Sequence, residues 1–405
     1  MKKRKLFAAF LILSLGLSGC GSVTQPDRQS RETEPRQSET AAVSAEQKEK
    51  SENIAELYRD VYEDAVKENT LGSLKTVQDI VSRLGENGYA AVDMENQNQI
   101  DMENPELIEQ FCSQVDEKQN GEATIICVME SGDFIRFDLK TEDGIVDVTR
   151  SVLSWKSGMP QTTYTKSYEA YTWVYSEEGY LFFEEYCPPG FDGAPGYTAV
   201  RVKPLCSKCR ELNRKYILPV GYASNNLFVC NWDETDFGEL NFYDLFDRLY
   251  SLVYKKQIPY EAAYEGEDYR IPADEFEKVI LSCFHIDKEA LRERLDYSKQ
   301  DQVYEYQTRG FYDCANSPNL PFPEVVNYQE NRDGTITLTV NAVYPKEKTA
   351  KAFSHESVVR PLENGGFQYV SNHIIPSEQN VEPTWYKNRL TEEEREKYYE
   401  DAETQ

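Results

Sequence analysis

The feature that most constrains the fold is a change of hydrophobic period that occurs twice along the chain. In the first instance Ile54, Leu57, Tyr58, Val61, Tyr62 and Ala65 recur every three to four residues, and Leu74, Val77, Ile80, Val81 and Leu84 repeat the pattern. A third stripe of Leu107, Ile108, Phe111, Cys112 and Val115 follows Asn104-Pro105, a pair suited to a cap and first turn. Such spacing lines one face of a helix. The pattern then turns to strands. The runs 123–129, 134–139 and 145–153 are separated by breaks containing Gly132 and Gly144, and the runs 168–175 and 180–186 flank Ser176 to Gly179. These are hairpin-linked strands. Further strands are expected near 197–202, 215–220 and 227–230.

After Asn231 to Glu239 the helices begin again. Phe242, Leu245, Phe246, Leu249, Leu252 and Val253 form one stripe, and Phe276, Val279, Ile280, Cys283 and Phe284, opened by Pro272, form another. Asp287 caps a short third helix carrying Leu291 and Leu295. Then Ile336, Leu338, Val340 and Ala342 alternate with Thr335, Thr337, Thr339 and Asn341, one face buried and one wet. Asn364-Gly365 joins two further strands, a strong hairpin signal. Helices followed by antiparallel strands, twice, predict an α+β protein of two domains, 51–235 and 236–378. A helix packed into a curved antiparallel sheet makes the second similar to a cystatin-like half-barrel. Residues 379–405 form an acidic tail.

The N-terminus carries an address. Lys2, Lys3, Arg4 and Lys5 precede an apolar run from Leu6 to Leu17. That is the pattern of a secretory signal, and the run is short of the ~20 residues a membrane span needs. Leu17-Ser18-Gly19-Cys20 closes it and resembles the bacterial lipobox. The resemblance implies removal of 1–19 and lipidation of Cys20, a stable tether because a diacylglyceryl group supplies two chains. Residues 21–50 contain no aromatic residue. They are too polar to fold and read as the rest of a disordered stalk, 20–50, with an r.m.s. span of roughly 30 Å. The expected address is therefore the extracytoplasmic face of a cell membrane.

The strings IPADEFEKVI from Ile271, PFPEVV from Pro321, DGTITLTVNAVYP from Asp333 and FQYVSNHI from Phe367 resemble a family of uncharacterised lipoproteins of low-GC Gram-positive bacteria. The resemblance is best over 269–373. It implies no activity and no functional residues.

Charge narrows the partners. Removing 1–19 takes away four basic residues and no acidic one, so the net charge moves from −27 to −31. Nucleic acid and anionic lipid would add like charge and are repelled. A protein, peptide or glycan partner remains, cationic peptides included, and no cofactor is implied. Tyr171, Trp173 and Tyr175 share one strand face, either a stacking platform for a ligand or the core face of a sheet. Cys187, Cys206, Cys209 and Cys230 lie in loop-rich sequence and are the candidate disulfide cysteines, whereas Cys112, Cys127 and Cys283 fall on apolar faces as buried thiols. Cys206-Ser207-Lys208-Cys209 also suits half a zinc site or a redox pair. The helical pattern after it is poor, and no second close pair completes a metal site, so none is assigned. His355 and His373 stand nine residues either side of Asn364 and could pair across a hairpin. No nucleophile motif is present, so no catalytic residue is assigned. A non-catalytic binding or structural envelope protein is the leading reading. The alternative is a carboxylate-dependent hydrolase with its site between the domains.

Overall fold

The computed structural model describes residues 45–94, 99–191, 193, 196–314 and 320–400. The leader, Cys20 and the stalk up to residue 44 lie outside the described residues. The fold begins with α1 (Ala45–Glu56), α2 (Arg59–Glu68) and α3 (Leu74–Glu86), followed by β1 (Ala90–Asp93) and α4 (Pro105–Asp116). Helix α1 thus takes up the last residues assigned to the stalk. Four strands follow, β2 (Gly121–Val128), β3 (Phe134–Glu142), β4 (Ile145–Lys156) and β5 (Met159–Glu169). The sheet order is β1-β2-β3-β4-β5, antiparallel except that β1 runs parallel to β2. A parallel neighbour needs a crossover, and α4 supplies it.

Both faces of this sheet are covered. Ile126 and Val128 of β2 pack with Val77, Ile80, Val81 and Leu84 of α3, whereas Ile125 and Cys127 pack with Ile108, Phe111 and Cys112 of α4. Ser73 caps α3 by accepting from the Thr76 amide, the usual satisfaction of a free helix donor.

A second, three-stranded sheet joins the two halves of the molecule. It consists of β6 (Thr172–Tyr175), β7 (Tyr180–Glu184) and β8 (Tyr197–Arg201) in that order. Strand β7 is buried on both faces: Leu181 and Phe183 face the core of the first sheet, and Tyr180 and Phe182 pack on Val343 and Ala350 of the second half. Arg201 and Glu324, both buried, pair across this joint at 2.6 Å, and Tyr180 donates to Glu324 at 2.8 Å. After β8 the chain forms α5 (Ser207–Leu212) and runs on as a π turn over Asn213–Ile217. The strands expected at 215–220 and 227–230 are therefore helix and turn. A short apolar run cannot be told from a buried helix by period alone, and Pro219 stops this one.

The second half contains β9 (Trp232–Asp233), α6 (Phe242–Tyr254), β10 (Asp268–Pro272), α7 (Ala273–Cys283), α8 (Lys288–Glu293), β11 (Tyr297–Ser298) and β12 (Val303–Gln307). It closes with β13 (Phe322–Glu330), β14 (Ile336–Val343), β15 (Ser354–Pro361), β16 (Phe367–Ile375) and α9 (Glu392–Glu400). One sheet is the meander β13-β14-β15-β16 with β9 at its edge, and the other is β10-β12-β11. Helix α7 lies against β16 and α6, with Phe246 stacked on Phe276 at 4.7 Å. Asp287 caps α8 by accepting from the Glu289 and Ala290 amides. The protein is α+β, and no sheet among the described residues closes into a barrel. The segment beyond residue 378 packs on the second half: Trp385 is buried, stacked on Phe353 and edge-on to Tyr344.

Candidate functional site

Helix α6 presents Tyr243, Asp244 and Asp247 toward β12 and the C-terminal segment. Asp244 is fully buried. It receives Arg309 at 2.6 and 2.9 Å, Arg389 at 2.8 Å and the Tyr386 hydroxyl at 3.3 Å. Asp247 accepts from Tyr306 at 2.6 Å and from Arg389 at 3.2 Å. Burial pushes its carboxyl up to about 6, the Arg389 charge opposing the shift. Buried charges persist only when paired and hydrogen-bonded. Here the pairing clamps the segment around Tyr386 and Arg389 onto α6.

Above the clamp lies an open cleft of about 910 Å³ between the β10-β12 strands, α6 and α9. Glu265, Asp268, Asp296, Glu305, Asp313, Glu392 and Glu396 line it, against only Arg389 and Arg395. Both arginines are committed, Arg389 to the two aspartates below and Arg395 to Asp313 at 3.3 Å and the Glu265 carbonyl. Glu305 is engaged by Arg270. Asp268, Asp296, Glu392 and Glu396 have no ion-pair partner among the described residues. Tyr243, Tyr269, Tyr306 and Tyr399 also line the cleft. Negative charge focused in a concave site, combined with aromatic faces that attract cations, suits a positively charged organic ligand. Among the described residues no group of three or more His, Cys, Asp or Glu is placed to hold a metal ion.

The residues singled out in the sequence fall elsewhere. Trp173 is half-buried, 5.7 Å from the rings of both Phe111 and Phe183, and the half-buried Tyr175 directs its hydroxyl to Glu109 at 3.3 Å. Only Tyr171 is exposed, edge-on to Tyr186. The three do not form an open platform. His355 and His373 do not pair: His355 stands opposite Ile374, and His373 opposite Glu356. Val359 pairs with Tyr369 but Val358 with Ser371, so a bulge at Val370 offsets the strands by one residue. A one-residue offset sends the two side chains to opposite faces.

His355 is fully buried in a polar network. Asn372 donates its amide to the Cys230 carbonyl at 2.8 Å and turns its oxygen to His355 Nδ1 at 2.7 Å. Nδ1 therefore carries the proton, and Nε2 accepts from the Tyr222 hydroxyl at 3.0 Å. Burial holds the imidazole neutral, down to about 3.

All eight described cysteines are thiols. Cys112, Cys127 and Cys283 are buried as expected. Cys187 sits beside Gly196, and Cys230 donates to the Asn226 carbonyl at 3.1 Å. Of the four candidate disulfide cysteines, Cys206 and Cys209 stand together at the start of α5.

Among the described residues, acids with raised protonation do not converge on an open site. Asp93, pushed by burial to about 6, accepts from the Gln99 and Ile100 amides at 2.9 Å. Glu324, also raised by burial, is held by Arg201 and Tyr180. Neither these two nor Asp247 lines the cleft.

No curated protein and no solved structure matches the chain. The profile of one protein family, described as a family of unknown function, matches residues 44–389. That span is well over half of the 405 residues, and the chain belongs to this family, DUF6070.

Proposed function

We propose that this chain is a lipoprotein of the extracytoplasmic face of the cell membrane, tethered through Cys20, that binds a basic peptide segment in the α6–β12–α9 cleft without chemical turnover. The leader, the lipobox-like Leu17 to Cys20 and the polar stalk support the anchoring. The observation that carries the binding role is the cleft, where seven carboxylates face two arginines that are already neutralised. Its size is within the range of ligand sites. Lysine side chains would meet unpaired carboxylates at the rim and tyrosine rings within.

The test is a calorimetric titration of pentalysine into the chain from Cys20 onward, alongside Asp268→Asn with Asp296→Asn. Exposed charge pairs contribute at most about 1 kcal/mol each, so the double variant should bind roughly three- to tenfold more weakly at low salt. Equal affinity of the two proteins for pentalysine would remove the cleft from the account.

A further inference from the structure

We propose that Cys206 and Cys209 form a thiol–disulfide exchange site whose substrate is an accessible disulfide. The pair is placed rigidly. Asp101 of the first half accepts from the Leu205 amide at 2.9 Å and from Arg210 at 2.9 Å, so residues on both sides of the pair are fixed to one carboxylate. Cys206 is the residue before the first turn of a helical run that extends from Ser207 through Ile217. It is exposed, whereas Cys209, one turn later, is buried in the main core.

The two thiols are chemically unequal. The backbone amides of Cys209 and Lys208 bias the exposed Cys206 thiol toward a lowered pKa, with a smaller contribution from the Cys209 thiol. Burial, with added contributions from Cys206 and from the Glu324 charge, pushes Cys209 up to about 11. An exposed thiol biased to thiolate beside a buried thiol biased to stay protonated is the division of labour that exchange requires. A groove of about 310 Å³ opens at Ser207 between α3 and α5, with Arg210 and Arg214 on its wall. The Cys206 sulfur lies outside the lining of this groove and is reached directly from solvent.

The reaction balances within the pair and its substrate. The Cys206 thiolate attacks one sulfur of the substrate disulfide. That S–S bond breaks, a mixed disulfide forms, and the departing thiolate takes up a proton. Cys209 loses its proton to solvent and attacks the Cys206 sulfur. The second substrate thiolate leaves and is protonated. Two electrons pass from the pair to the substrate, giving one protein disulfide and two free thiols.

The test uses the chain from Cys20 onward with glutathione disulfide, and in a second arm insulin as a protein disulfide. Peptide mapping should find Cys206 joined to Cys209 after exposure to either substrate. Cys209→Ser should stop at a mixed disulfide on Cys206, and Cys206→Ser should form neither product. Without oxidant, Cys206 should alkylate at neutral pH at least about tenfold faster than Cys187, because reactivity follows thiolate fraction and exposure. Exchange with glutathione alone identifies a small-molecule disulfide, and exchange with insulin a protein one. A folded Cys209→Ser chain that gives no adduct with either substrate overturns the proposal. So does Cys206 alkylation that rises with pH like an ordinary thiol.

Discussion

Acidification should destabilise this protein through one buried imidazole. His355 is neutral in the fold down to about 3, whereas a free histidine takes a proton near 6.5. The folded value is depressed, so the unfolded state binds the extra proton first. Stability supplied by this site is complete above about pH 6.5 and falls as pH drops toward 3. The loss is about 1.4 kcal/mol per pH unit, or about 4–5 kcal/mol over the whole window. Two carboxyls, buried Asp93 and half-buried Asp247, act in the opposite sense. Asp93 and Asp247, both raised by burial to about 6, favour the folded state as pH falls from about 6 toward 4, by about 3 kcal/mol for buried Asp93 and less for the partly solvated Asp247. The wild-type profile is therefore a composite, and a substitution must separate the terms. His355→Gln removes the titration and leaves both carboxyls in place. Urea unfolding of the two proteins, followed by tryptophan fluorescence from pH 7.5 to 4.5, gives the stability difference at each pH. That difference should shift against the wild type by about 1.4 kcal/mol per unit below pH 6. A difference that stays constant over this range would refute the reasoning.

Other expectations follow from packing and attachment. Trp173→Ala should cost about 3 kcal/mol in urea unfolding, the lower end for removing a large aromatic because the ring is only half-buried. Exposed Tyr171 lies just before the same strand, and Tyr171→Ala should change stability by no more than about 0.5 kcal/mol. Cys20→Ala should move the chain from the detergent phase to the aqueous phase on Triton X-114 partition of cells. Retention in the detergent phase would refute lipid attachment at that residue.

The elements with strong periods were legible in the sequence. The stripes of α3, α6 and α7 and the alternation in β14 identify helices and strands from residue spacing alone, and Pro105 and Asp287 mark helix starts. What was not legible is instructive. Strand β1 is four fully buried residues, Ala90, Ala91, Val92 and Asp93, with no alternation to reveal it. The His355–His373 pairing failed by a single bulged residue, which hairpin counting cannot foresee. The poor helical pattern after Cys209 reflects a π turn, which departs from the 3.6-residue repeat. Trp385 lies in a stretch dominated by polar residues, so its burial depends on tertiary contacts. The cleft was least legible of all, because its residues run from Tyr243 to Tyr399. In a chain with 71 acidic residues no one carboxylate stands out until the fold gathers seven around four tyrosines.

Amide exchange of the full mature chain, with and without pentalysine at low salt, tests the central claim most directly, because it reports location as well as binding. The account predicts slowed exchange in three segments, 265–269, 303–307 and 392–399, and little change in the first half of the molecule. Protection confined to other surfaces, or none at saturating peptide, would contradict it.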